Sequence, residues 1–193
     1  MPETPHSLLE RLRTGPDEKS WQKLVALYQP WLNGYLRLQN LPAGDVDDLV
    51  QDTLTILVKE LPHFRHDLRR GAFRRWLRTI TWNRLRVYWR TRRPASAADD
   101  ARVATLLAQL EDPQSDLSRH WEREHNLHVV RRLLELLESD FEPRTWQAFH
   151  KVTLGGKSTA EAAQELGMSP VAVRIAKSRV LTRFRQEIAG LLD

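Results

Sequence analysis

Apolar residues recur at three- and four-residue steps through almost every patterned segment of this 193-residue chain, and no stretch alternates with period two. That spacing gathers side chains on one face of a helix and leaves no half-buried strand from which to build a sheet. The expected fold class is therefore all-α. Val46, Leu49, Val50, Leu54, Leu57 and Leu61 make the most regular stripe, bounded by the breaker 42–44 and by Pro62. Asp45 stands where an N-cap is expected. Ahead of it, Ser7–Arg13 reads as a short helix, and Glu18–Tyr28 and Trp31–Gln39 read as two amphipathic helices with Pro30 between them.

A change of composition divides the chain. From Pro94 to about Ser118 the residues turn to Pro, Ala, Ser, Asp and Gln, with one short helical pattern at Arg102–Leu110. Helical patterning resumes at Leu117–Glu138, where Leu127, Val130, Leu134 and Leu137 share a face. The organisation expected is two small helical domains joined by a flexible linker: an N-terminal extension over 1–17, a first domain over 18–93, the linker over 94–124 and a second domain over 125–193.

Composition excludes several kinds of chemistry. With 41% hydrophobic and 28% charged residues the chain is too apolar to be disordered throughout. It has no cysteine, which removes disulfides, Cys-zinc sites and thiol catalysis. Met1–Gly15 has no apolar core of signal-peptide length, and no run approaches the roughly 18–20 apolar residues of a membrane span. A cytoplasmic protein is the simplest expectation. The net charge of +5 is unevenly spread. Phe64–Arg93 holds many Arg and a single acid, Asp67, while Asp99–Asp116 is net acidic. Such a basic block favours a polyanionic partner.

Three segments carry candidate function. Asp45, Asp47, Asp48, Gln51 and Asp52 crowd the first half of one helix. Acids near a helix N-terminus complement its dipole by roughly 0.3–1 kcal/mol each. That accounts for Asp45–Asp48 better than for Asp52, so a face for a basic partner is the sharper reading. Over Gly71–Arg93, Phe73, Trp76, Leu77, Ile80 and Val87 form the expected core stripe. Arg75, Arg78, Trp82, Arg86, Trp89, Arg90 and Arg93 recur on another face. Cations there would track phosphates, exposed rings would stack on unpaired bases for roughly 1–3 kcal/mol each, and Asn83 offers a hydrogen bond to a base edge. Trp82 is left open between core and surface.

The third segment closes the chain. Ser158-Thr-Ala-Glu161 matches a capping box, Gly167 suits a turn, and Ser169-Pro170 starts another helix. Val173, Ala176, Val180, Phe184 and Ile188 would face the core, leaving Arg174, Lys177, Ser178 and Arg179 on the N-terminal half that recognition helices present to the major groove. Arg183 is a weaker phosphate contact. An αα-hairpin with a basic outer face is the plainer alternative. His125 and His128, beside Glu122 and Glu124, have spacing that could place ligands on one helix face. Without a third converging ligand they read as solvated histidines, and no metal or cofactor is expected.

Taken together, DVDDLVQDTLTILVKELPHFR followed by FRRWLRTITWNRLRVYWRTRR resembles region 2 of the sigma-70 superfamily of bacterial RNA polymerase initiation factors. EPRTWQAF with STAEAAQELGMSPVAVRIAKSRVLTRFRQ resembles its region 4. Two such regions joined by a linker are similar to the extracytoplasmic-function (ECF) type. The resemblance implies a non-enzymatic initiation factor that binds core RNA polymerase and directs it to promoters. Asp48, Leu49, Gln51 and Asp52 match the segment that meets the β′ clamp helices. The loop Pro62–Ala72, with Arg65, matches the element that captures a flipped base of the −10 motif. Arg75, Arg78, Trp82, Asn83, Arg86 and Arg90 lie on the helix that meets the −10 region, and Arg174, Lys177, Ser178, Arg179 and Arg183 on the one that reads the −35 motif. The surface around Trp146 and Phe149 matches, least directly, one that meets the β-flap tip. Promoter DNA and the polymerase core are the implied partners, and the type leaves room for an anti-sigma factor. Val87 stands where the family often has an acid and Trp82 where it often has a small residue, so base contacts do not transfer. A stand-alone helix-turn-helix regulator is the competing function; it leaves the acidic face and the Trp stripe without a role.

Overall fold

The computed structural model describes residues 7–15, 17–39, 41–65, 71–91 and 114–192, with 101, 104, 105, 108, 109 and 112 between them. Among these, eight bounded α-helices appear and no strand: α1 (Leu8–Thr14), α2 (Glu18–Arg37), α3 (Ala43–Glu60), α4 (Ala72–Thr91), α5 (Asp116–Leu137), α6 (Pro143–Thr153), α7 (Thr159–Leu166) and α8 (Pro170–Ile188). One-turn 3₁₀ segments, Leu61–His63 and Glu138–Asp140, follow α3 and α5. The described part of 101–109 is also helical.

Local chemistry explains most of the boundaries. Ser7 and Glu10 form a reciprocal capping box that opens α1, and Asp17 accepts from the Ser20 amide to open α2. Two expected breaks are absent. Pro30 lies inside a continuous α2 on its exposed face, where the Ala26 carbonyl it leaves without a helical donor accepts instead from Arg132 Nε of α5 at 3.2 Å. Asp45 is not an N-cap: α3 starts at Ala43 after Pro42, and Asp45 accepts from the Tyr88 hydroxyl at 2.7 Å.

α5 departs furthest from expectation. It begins at Asp116, inside the segment expected as linker, because the Ser115 hydroxyl caps it. Its buried stripe is Trp121, His125, Val129, Leu133 and Leu137, whereas Leu127 and Val130 face solvent. The reason is its neighbour: α5 packs on α2, whose Trp31 and Tyr35 make an aromatic face that Trp121 enters. One apolar core consequently runs from α1 through α2, α3 and α4 into α5, α6 and α8. A second, alanine-rich core (Ala148, Ala162, Ala163, Val173 and Ala176) belongs to α6–α8 alone. α1 ties the two ends of the chain together. Arg11 donates to the fully buried Glu187 of α8 at 2.9 Å, and Gly190, at φ +82°, leaves room for Leu9.

Candidate nucleic-acid interface

The acidic ridge of α3 is formed as expected, with one exception. Asp47, Asp48, Gln51 and Asp52 are exposed on successive turns because Val46, Val50, Thr53, Leu54 and Leu57 hold the opposite face in the core. Leu49 is buried with them, so it anchors the ridge and offers little surface. Asp48 and Asp52 also edge a shallow groove whose far wall is Arg84, Val87, Tyr88 and Thr91 of α4.

On α4 the expected binding set divides in two. Asn83 and Arg90 are exposed, Arg75 and Arg86 are half-buried, and Arg65 is exposed at the end of the turn after α3. Residues 66–70 of the loop expected to capture a base, and Arg93, lie outside the described residues. Trp82 belongs to the core: it is 6% exposed, and its Nε1 donates to the Tyr35 hydroxyl at 3.2 Å. Arg78 stacks over the Trp82 ring at 4.8 Å, and its guanidinium lies 3.8 Å from Glu122 of α5. Burial pushes the Tyr35 hydroxyl up to about 12, partly opposed by the Trp82 bond and by Arg78. Val87, expected in the core, is exposed, and Leu85 fills that role because α3 and α5 both pack on α4. Trp76 is half-buried, stacked on Phe64 at 4.5 Å between ring centroids.

The terminal helix-turn-helix follows its local signals closely. The Ser158–Glu161 capping box opens α7, Gly167 closes it at φ +59°, and Ser169 caps α8 ahead of Pro170. Arg144 donates to the Leu166 carbonyl at 2.8 Å and holds the turn against α6. Lys151 and Lys157 both bond Glu165, which pulls its carboxyl down to about 2. Arg174, Ser178 and Arg179 are exposed on the N-terminal half of α8, and Lys177 is half-buried beside them. Val171 and Ile175, absent from the expected set, are exposed on the same half. Their apolar character hid them from a search for cations. Arg183 is engaged: it lies 2.6 Å from Glu187 Oε1, off the line of a hydrogen bond, and 3.8 Å from Asp140. Trp146 and Phe149 are buried and hold α6 in place, and Trp146 also edges an open groove with Gln147, His150, Lys151 and Glu165.

His125 and His128 of α5 are not the solvated histidines expected. His125 is fully buried between Tyr28 Oη and Asn126 Oδ1, each at 3.3 Å. Arg74 donates to the same Asn126 oxygen at 2.8 Å, which fixes that atom as an acceptor and His125 Nδ1 as a donor. Nε2 therefore accepts from Tyr28, and burial pushes His125 down to about 3. His128 donates to the Leu27 carbonyl at 2.7 Å, and burial also lowers its titration. Among the described residues no group of three or more His, Cys, Asp or Glu could hold a metal, and no described helix is long and apolar enough to cross a membrane.

Comparison with known proteins decides what this geometry belongs to. Residues 24–95 match the family model for sigma-70 region 2. Over 195 aligned residues, spanning 100% of this chain and 96% of the relative, it is 30% identical to the RNA polymerase sigma factor NccH of Alcaligenes xylosoxydans xylosoxydans. The chain belongs to the sigma-70 family, ECF type. This sigma factor is also 35% identical over 100 residues to the ECF RNA polymerase sigma-E factors of Escherichia coli (strain K12) and Salmonella typhimurium (strain LT2), an alignment covering 51% of the chain and 50% of each relative. The sigma factor's region 2 match takes in α3 and α4 whole, so the acidic ridge and the Arg–Trp helix fall within it.

Proposed function

We propose that this sigma factor, which directs RNA polymerase to promoters, docks on the core enzyme through the exposed ridge Asp48, Gln51 and Asp52, with Leu49 bracing the ridge from below. In the same reading α4 meets the −10 region through Arg75, Arg78, Asn83, Arg86 and Arg90, aided by Arg65. The N-terminal half of α8 reads the −35 element through Arg174, Lys177, Ser178 and Arg179. The factor works in the cytoplasm and supplies specificity, while catalysis stays with the polymerase. The observation that carries this reading is the separation of charge on adjacent helices: carboxylates line the outer face of α3, while guanidinium groups line α4. One helix is suited to a basic protein surface and the other to phosphates. The stand-alone regulator uses only α7 and α8 and leaves that separation without a purpose.

The test is core-polymerase binding by the full chain and by Asp52→Arg. Because Asp52 is exposed, the variant keeps its helical circular dichroism and loses core affinity. Equal affinity of the two would remove α3 as the docking face.

A further inference from the structure

Two of the residues that α8 turns to solvent are apolar. Val171 is 56% exposed and Ile175 48%, on the first two turns of the helix, among the exposed Arg174, Ser178, Arg179 and Thr182. At about 100° per residue, Val171, Ile175, Ser178 and Thr182 fall along one line of the helix surface. Arg174 and Arg179 flank that line on opposite sides, each roughly 70° off it. Val173, Ala176 and Val180 hold the opposite face in the core, so this line is what α8 has left to offer a ligand. Ile175, Ser178, Arg179 and Thr182 also form part of one shallow groove.

Side chains along the middle of a recognition helix meet base edges, while cations at its margins meet the groove walls, where the phosphates run. In the major groove the apolar feature of a base edge is the C5-methyl group of thymine, which apolar side chains contact. We propose that Val171 and Ile175 read the methyl groups of two thymines in the −35 element. The proposal rests on the reading of α8 as the −35 helix and names part of what that helix selects.

Charge and rigidity both favour DNA as the occupant. Arg174, Lys177 and Arg179 surround the apolar pair with cations, and no acidic residue lies between Ser169 and Gln186. The end of α8 that carries Val171 is also held in place. The Ser169 side chain accepts from the Ala172 amide, Pro170 occupies the first helical position, and Arg144 ties the preceding turn to α6 through the Leu166 carbonyl. Branched side chains on such a support have few rotamers to lose on contact. Four residues advance about 6 Å along a helix, and successive base pairs lie about 3.4 Å apart. The two thymines therefore lie no more than about two base-pair steps apart, on either strand.

The test is binding of the factor with core polymerase to a promoter duplex, taken from a mapped start site, in which deoxyuridine replaces each thymine of the −35 element in turn. Uracil keeps the hydrogen-bonding groups of thymine and lacks only the methyl. Two replacements at the stated spacing weaken binding by about three- to fivefold each, the loss of one buried methyl. Val171→Ala abolishes the penalty at one position and Ile175→Ala at the other. Both side chains are exposed and alanine favours a helix, so the variants keep the fold. Uracil tolerated throughout, an element without two A·T pairs at that spacing, or penalties unchanged in both variants would overturn the methyl readout. So would a loss of core-polymerase affinity in the alanine variants without DNA, which assigns the pair to a protein contact. A footprint of the Arg179→Ala factor separates this proposal from the reading beneath it. If uracil is tolerated while Arg179→Ala weakens protection over the −35 element alone, the methyl readout fails and α8 remains the −35 helix. If Arg179→Ala leaves that protection unchanged, α8 is not the −35 helix and both fall.

Discussion

Trp82 Nε1 donates to the Tyr35 hydroxyl at 3.2 Å, a buried bond between α4 and α2. It turns a residue that sequence spacing left between surface and core into a structural one. Trp82→Phe keeps a ring in the cleft and leaves Tyr35 without that donor, costing about 0.5–1.5 kcal/mol. Trp82→Ala opens a cavity and costs about 3–5 kcal/mol. Urea unfolding followed by circular dichroism measures both; an Ala variant as stable as the Phe variant would mean that Trp82 is not packed in the free protein.

His125 makes stability depend on pH. In the folded chain burial holds it near 3, while an unfolded imidazole titrates at about 6.5. Between those values the unfolded chain binds the proton and the folded chain does not. Its contribution is therefore full above about pH 6.5 and is lost as pH falls through the window. His128, also lowered by burial, acts in the same sense. The groups facing His125 are Tyr28, Asn126, Arg74 and His128. The melting temperature should fall between pH 7 and pH 5.5, above the range where the carboxylates titrate, and His125→Gln should flatten that slope. An unchanged slope in the variant would place the proton elsewhere.

Arg183 and Arg179 lie one turn apart on α8 in different surroundings. Arg179 is exposed, so Arg179→Ala weakens duplex binding and reduces its salt dependence by about one counterion. Arg183 faces the buried Glu187, so Arg183→Ala costs stability, about 1–3 kcal/mol, with duplex affinity at matched folded fraction nearly unchanged. Filter binding across a salt series, paired with thermal melts, distinguishes them. Reversed behaviour would return Arg183 to the DNA face.

The helix-turn-helix was legible because its signals are local. Ser158, Glu161, Gly167, Ser169 and Pro170 each act within a few residues of their own position, so spacing alone places them. The α3 ridge was legible for the same reason, and so was the burial of Leu49, which already belonged to the apolar stripe of that helix. α5 was not legible in this way. Trp121 and His125 sit among charged residues, and what buries them is an aromatic face on α2 about ninety positions earlier in the chain. Periodicity selects a face without naming its partner, so Leu127 and Val130 looked better candidates for the core than the residues that occupy it. Pro30 misled for a related reason: the donor that makes it tolerable inside α2 is Arg132 of α5.

The most direct test of the account is transcription by sigma-free core RNA polymerase on genomic DNA from the source organism, with and without this protein, followed by mapping of transcript 5′ ends. The account predicts discrete start sites that require the protein, share paired upstream motifs, and disappear with Asp52→Arg. Start sites unaffected by the protein, together with tight specific duplex binding by the free chain, would contradict it.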